Sequence, residues 1–409
     1  MTWRENDHAS AHDAALSLPE GLGLSAWFLR RLLARIAVGR LSIVTPQGER
    51  LSSGPAAPGP HAVIVLHRWR AMRRLILDGD IGLAEAYRDG DFSTPDLTAL
   101  IELGARNDAT VRDLVSGTWL ARVFNRLRHR RNANSRAGSR RNITAHYDLG
   151  NAFYGQWLDP SMTYSAALYE SPAESLERAQ ERKLDRIVAM LDLKGGEHVL
   201  EIGCGWGALA ERLAKAGCRV TAITLSPSQL AFAQERIDGA GLADRVELRL
   251  QDYRDVTGSF DRVVSIEMIE AVGRAYWPSY FSTIARSLQP GGSAVLQAIT
   301  IDPALFESYQ SGTDFIQRFI FPGGCLPSLE AIEASARSEG LATAERLDFG
   351  EGYALTLKEW RHRFLQQWPQ IAKLGFDEPF RRIWEFYLCY CEAGFRAKTI
   401  DVSLITLKA

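Results

Sequence analysis

The stretch VLEIGCGWGALAERLA, residues 199–214, decides the fold. An apolar run of strand type carries Glu201 and breaks into glycine at alternate positions, Gly203, Gly205 and Gly207, before an amphipathic helical pattern begins. Missing β-carbons at such a turn let a ligand lie against the backbone and let the next helix start tightly. Three details separate it from a dinucleotide-binding turn. The acidic residue precedes the glycines, the spacing is not GxGxxG, and no further residue suits a pyrophosphate. They favour S-adenosylmethionine as ligand, with Glu201, Gly203, Gly205 and Gly207 around it.

Working outward, the strand HVLEIG follows a helical pattern over residues 173–193. After the turn come a helix, the strand CRVTAITL, the helix SPSQLAFAQERIDGAG, and the strands VELRL, DRVVSI and, after another helix, SAVLQAITI. This alternation predicts an α/β, doubly wound, mostly parallel sheet with its site at the carboxyl ends of the strands. The end of the second strand then offers Thr224, Leu225 and Gln229 to the ribose side of the ligand. The QDYRD segment after the third offers Asp252 as acceptor for an adenine amine and Tyr253 as a flat face for its ring.

Upstream, Leu29, Leu32, Leu33 and Ile36 fall on one helical face and Arg30, Arg31 and Arg35 on another. That basic amphipathic helix fits packing on its own unit or a membrane-surface role. Two short strands and further helical patterns complete a smaller α+β unit over residues 1–125. A basic linker over residues 126–141 separates it from a catalytic region over residues 142–409. The arginine-rich run ARVFNRLRHRRNANSRAGSRR, residues 121–141, has eight arginines and no acid. Nucleic acid, acidic phospholipid and linker solubility all fit it. With Phe124 as its only aromatic ring, lipid or solvent is favoured over nucleic acid.

Composition narrows the classes. Among 409 residues, 48 basic and 49 acidic side chains nearly cancel, so no global charge argues for a nucleic-acid binder. Five scattered cysteines without a CxxC pair argue for a reducing, cytoplasmic compartment and against a metal site. No apolar run reaches the ~20 residues of a membrane span, so the expectation is a soluble protein.

The segments NITAHYDLGNAFYGQWLDPSMTYSAALYE (residues 142–170), LEIGCGWGALA, SIEMIEAVG, FIQRFIFPGGCLPS and YCEAGFRAKTIDV resemble, in order, the cyclopropane-fatty-acyl-phospholipid synthase family, which includes the mycolic acid cyclopropane synthases. LDGDIGLAEAYRDGDFSTPDL, residues 77–97, resembles the lipid-associated first domain of its phospholipid-acting members. The resemblance implies a class I S-adenosylmethionine-dependent methyltransferase fold. It assigns the cofactor to Tyr164, Ser165, Gly203, Gly205, Thr224, Leu225 and Gln229, with Tyr253 near the adenine. It also implies a bound bicarbonate held by Glu270, Tyr353 and the backbone at Ile299, and a closing loop that contains His146 and Tyr147.

The implied reaction forms a cyclopropane across the cis double bond of an unsaturated acyl chain in a membrane phospholipid. The alternatives are methylation without ring closure, giving a methyl-branched or methyl-olefinic chain, and a catalytically inactive lipid-binding protein. The implied partners are the inner face of the membrane, bound peripherally, the acyl chain and a second copy of the chain. Two positions depart from the family: Ala166 stands where a cysteine is usual and Gln297 where a histidine is usual. Glutamine donates a hydrogen bond to bicarbonate but carries no charge and shuttles no proton, which bears on the deprotonation step. Aromatic stretches at residues 306–309, 315–321 and 384–390 are candidates for an acyl tunnel. Glu392 and Arg396 are candidates for a structural ion pair.

Overall fold

A computed structural model describes residues 23–108 and 149–409. The chain opens with helix α1 (Gly23–Ala34) and strands β1 (Val38–Val44), β2 (Arg50–Ser52) and β3 (Ala57–Leu66). Helix α2 (Arg70–Arg88), strand β4 (Phe92–Ser93) and helix α3 (Leu97–Arg106) follow. The four strands form one sheet in the order β2-β1-β3-β4, with β1 and β3 parallel. On α1 and just past its end the apolar stripe packs inward: Leu29, Leu32, Leu33 and Ile36 are buried while Arg30 and Arg31 are exposed. The stripe therefore serves the unit's own core, and Trp27, Arg30 and Arg31 face outward.

Residues 149–409 build the larger layer. Helix α4 (Asn151–Tyr154) precedes α5 (Leu176–Met190), whose Ser175 caps the backbone of Arg178. Strand β5 (His198–Ile202), helix α6 (Ala208–Lys215), strand β6 (Arg219–Thr224), helix α7 (Pro227–Gly239), and strands β7 (Val246–Leu250) and β8 (Phe260–Ile266) reproduce the expected alternation. Helix α8 (Trp277–Ser287) leads into the long strand β9 (Leu288–Ile301). After helices α9 (Pro303–Ser311), α10 (Phe315–Phe319) and α11 (Leu329–Ser338) come strand β10 (Ala342–Asp348) and helices α12 (Gly350–Gln366), α13 (Trp368–Lys373) and α14 (Glu378–Arg396). Strand β11 (Ile400–Lys408) closes the chain.

The sheet order is β10-β11-β9-β8-β5-β6-β7. From β9 to β7 neighbouring strands are parallel, and β11 inserts antiparallel between β9 and β10. The order reverses at β5, so the turn after β5 opens into the crevice where such sheets bind ligands.

The small sheet's helices lie against α14. Thr98 and Arg361 both reach the fully buried Glu392, at 3.1 and 3.3 Å, and Arg396 pairs with its other oxygen, the ion pair expected from the sequence. Tyr87 donates to Glu385 at 3.0 Å. In α2 the backbone breaks at Gly79, with φ 60°, which turns Asp80 inward. Its carboxylate accepts from Phe315 N–H at 3.0 Å and from Tyr390 Oη at 3.1 Å. Among the described residues no helix is long and apolar enough to cross a membrane.

Candidate active site

A cavity of about 880 Å³ starts at the glycine turn and reaches the small sheet. Its polar end is built on the strand ends. Gly203 and Cys204 donate backbone N–H groups to Ile223 O, both at 3.0 Å, which ties the turn to β6. Gly203 has φ 88°, and a β-carbon there would sit 2.7 Å from Met268 Cγ. Gly205, at φ 51°, has open space where its β-carbon would be and lines the cavity. Gly207 does not line it. It starts α6, and its absent β-carbon admits Ala233 of α7.

Glu201, near the end of β5, is buried and lines the cavity, and among the described residues its Oε2 has no donor. Burial lifts its carboxyl to about 8, partly offset by the Lys183 ammonium. A buried acceptor of this kind suits an amino or hydroxyl donor on a ligand. Thr224, Leu225 and Gln229 line the same end, with Thr224 Oγ1 3.1 Å from Gln229 Oε1. Tyr253 is nearly buried and also faces the cavity. Asp252 differs from expectation. Both its oxygens receive Arg254, at 2.8 and 2.6 Å, and it does not line the cavity. Its carboxylate caps the 253–255 turn, and its neighbours Gln251 and Tyr253 face the ligand space.

Tyr164 and Ser165 form the opposite wall. Tyr164 Oη lies 2.8 Å from Tyr387 Oη, and its ring packs against Trp360 at 5.2 Å. Ser165 Oγ accepts from Lys183 Nζ at 2.7 Å. Lys183 was not singled out in the sequence because its helix reads as an ordinary Glu/Arg/Leu surface. It is buried, and desolvation lowers its ammonium to about 8.

Of the residues expected to surround a bicarbonate, Tyr353 and Gln297 meet on another residue, Glu267. Glu267 stands one position past β8 with φ 49°, unusual for a side chain with a β-carbon. Its Oε1 accepts from Ala166 N–H at 2.8 Å and Gln297 Nε2 at 2.6 Å, and its Oε2 from Tyr353 Oη at 2.7 Å. The Gln297 and Tyr353 donors thus serve a carboxylate of the chain itself. Glu270 accepts from Ile299 N–H at 2.5 Å, and among the described residues its Oε2 has no donor. Burial raises both carboxyls, Glu270 to about 8, with Glu267 adding repulsion there. At Glu267 the three donors and nearby Lys183 oppose that rise. Glu267 was legible only as the third residue of SIEMIEAVG. Its glycine-like backbone was not. Tyr147, His146 and the arginine run lie outside the described residues.

Of the aromatic stretches, Tyr309, Phe321, Phe386, Tyr387 and Tyr390 line the cavity, while Phe306 stacks on Trp277, and Phe315 and Trp384 are buried in the core. Beyond them the wall is apolar and comes from the small sheet's side, including Leu32, Ile64, Leu75, Leu83 and Leu100.

Residues 134–405 match the mycolic acid cyclopropane synthetase family. The tuberculostearic acid methyltransferase UfaA1 of Mycobacterium tuberculosis is 40% identical over 407 residues, covering 96% of this chain and 94% of its own. The cyclopropane-fatty-acyl-phospholipid synthase of Escherichia coli is 36% identical over 348 residues, covering 81% and 83%. Mycolic acid cyclopropane synthase CmaA1, solved in complex with SAH and CTAB, superposes with a TM-score of 0.62 at 30% identity, over 66% of this chain and 98% of its own. With the glycine turn, the orphaned Glu201 acceptor and the sheet order, these matches establish that the chain belongs to the mycolic acid cyclopropane synthetase family and is an S-adenosylmethionine-dependent methyltransferase of the fatty-acid and lipid type.

Proposed function

We propose that this chain methylates a cis double bond in an unsaturated acyl chain of a membrane phospholipid, leaving a methyl or methylene branch without a ring. The observation that carries the reading is the single cavity, in which the glycine turn, the Glu267 and Glu270 carboxyls and a long apolar wall follow one another. An acyl chain on that wall would bring its double bond to the two acids.

When bound, S-adenosylmethionine supplies a methyl group to the alkene. The chain's residues provide the rest. The backbone of Gly203 and Gly205 and the acceptors of Glu201 and Thr224 hold the cofactor end. The apolar wall excludes water, so the alkene meets the methyl in a dry site. Tyr387, Tyr390 and Phe321 offer ring faces that stabilise positive charge on the acyl chain without reacting with it. Branching over ring closure is supported by the 40%-identical tuberculostearic acid methyltransferase, which matches nearly the whole chain, and by Gln297 at the position of the usual histidine. Cyclopropanation is the second reading, favoured by the 36%-identical E. coli enzyme and by a base within the same cavity.

Peripheral contact with the inner face of the membrane is part of the proposal. Exposed Trp27, with the Arg31 guanidinium 4.9 Å over its ring, suits an interfacial anchor on α1. The test is mass spectrometry of acyl chains after incubation with labelled S-adenosylmethionine and cis-monounsaturated phospholipid vesicles. A labelled chain heavier by one methylene that still reacts as an alkene supports branching. The same mass without alkene reactivity means a cyclopropane. No label in any acyl chain overturns the substrate assignment.

A further inference from the structure

We infer that the Glu267 carboxylate is this enzyme's own proton acceptor and stands where a free bicarbonate would otherwise be held. This rests on the acyl-methylation reading and names the base it requires.

The geometry is that of an anion site already filled. Ala166 N–H, Gln297 Nε2 and Tyr353 Oη come from three separate elements and converge on one planar CO₂ group at 2.6 to 2.8 Å. A bicarbonate presents the same trigonal pair of acceptor oxygens, so the two cannot occupy these donors together. Glu267 N–H is itself fixed to Gln297 O at 2.8 Å, which anchors both ends of the residue to β9. The left-handed backbone, φ 49°, is unfavourable for a non-glycine residue, and such strain persists where the surroundings impose it. Among the described residues the titratable groups facing the carboxylate are Lys183, whose Nζ is bound to Ser165 Oγ, and Glu270, whose Oε2 has no donor there. Glu267 also lines the cavity beside Met268, which touches the space over Gly203, so it borders the cofactor end and the acyl wall at once.

The step balances without an added reagent. After methyl delivery the acyl chain carries the positive charge. Glu267 takes one proton from the delivered methyl and becomes the neutral acid. The electron pair of that C–H bond closes a three-membered ring or, after a hydride shift between the two former alkene carbons, forms the double bond of a methylene branch. A saturated branch needs a hydride donor in a later reductive step.

The experiment uses the full-length protein, Glu267→Gln and Glu267→Gly. Glycine accepts the positive φ and leaves the three donors around a vacated space. Wild type should turn over equally in carbonate-free buffer and with added bicarbonate, and should leave the ¹³C resonance of labelled bicarbonate unbroadened. Glu267→Gln should lose about 100-fold or more in turnover under both conditions, with affinity for S-adenosylhomocysteine within about threefold. Glu267→Gly should be equally impaired without bicarbonate, regain at least about tenfold with it, and broaden the bicarbonate signal. Bicarbonate dependence or binding in wild type, or full turnover by Glu267→Gln, overturns the inference. If wild type labels no acyl chain at all, the substrate reading fails instead, while the bicarbonate titrations still report whether Glu267 fills the anion site.

Discussion

Gln297 and Glu267 are joined twice. The Gln297 carboxamide nitrogen donates to Glu267 Oε1 at 2.6 Å, and the Gln297 carbonyl accepts from the Glu267 backbone N–H at 2.8 Å. The remaining oxygen, Oε2, depends on Tyr353 alone among the described residues. Removing that hydroxyl should loosen the carboxylate without touching the cofactor end. Tyr353→Phe is expected to lower kcat by roughly 10- to 100-fold while S-adenosylhomocysteine affinity stays within about threefold, measured by turnover and calorimetry. Unchanged kcat would remove the tyrosine from the mechanism.

The glycines of the turn should separate by what their β-carbons meet. Both Gly203 and Gly205 pay for positive φ on substitution, about 1 kcal/mol each. Gly203→Ala additionally collides with Met268 and should lower both thermal stability and cofactor affinity. Gly205→Ala meets only open space in the protein, so its loss should fall mainly on S-adenosylhomocysteine binding, read by titration against thermal melts. Equal affinity in Gly205→Ala would place the cofactor elsewhere.

Glu270 gives a pH signature. Its carboxyl rises from 4.5 to about 8 in the folded chain, so between those values the folded protein keeps a proton that the unfolded chain has lost. The corresponding stability is fully present below pH 4.5 and is lost as pH rises through 8. Glu201 acts in the same direction, whereas lowered Lys183 acts oppositely above about 8. Glu270→Gln removes one share of the slope. Its melting temperature relative to wild type should therefore increase by a few degrees from pH 5 to pH 8 in ligand-free protein. A constant difference would mean that Glu270 ionises normally.

Glu392 joins the small sheet's helices to α14. Glu392→Ala would leave Arg361 partly buried and strip Thr98 of its acceptor. A loss of about 3 kcal/mol is expected in denaturant unfolding, together with faster hydrogen exchange in α3. Protection limited to its wild-type level in α3 would show that the two layers are held by apolar packing alone.

Much of this architecture is written in local pattern. Period-two and period-3.6 alternation, with glycines where positive φ is needed, are short-range properties, so the sheet and the turn after β5 were legible residue by residue. The Glu392 and Arg396 pair was legible for the same reason, since i,i+4 neighbours share a helix face. What the tertiary structure decided involves residues far apart in the chain. Ala166, Glu267, Gln297 and Tyr353 come from four distant segments, and no spacing rule announces that their donors meet on one carboxylate. Lys183 reads as a surface lysine until the fold buries it, and Asp252 reads as a ligand acceptor until Arg254 takes both its oxygens. Hydrogen-bond partnership and desolvation depend on which surfaces the fold brings face to face, and these set the charge on each acid.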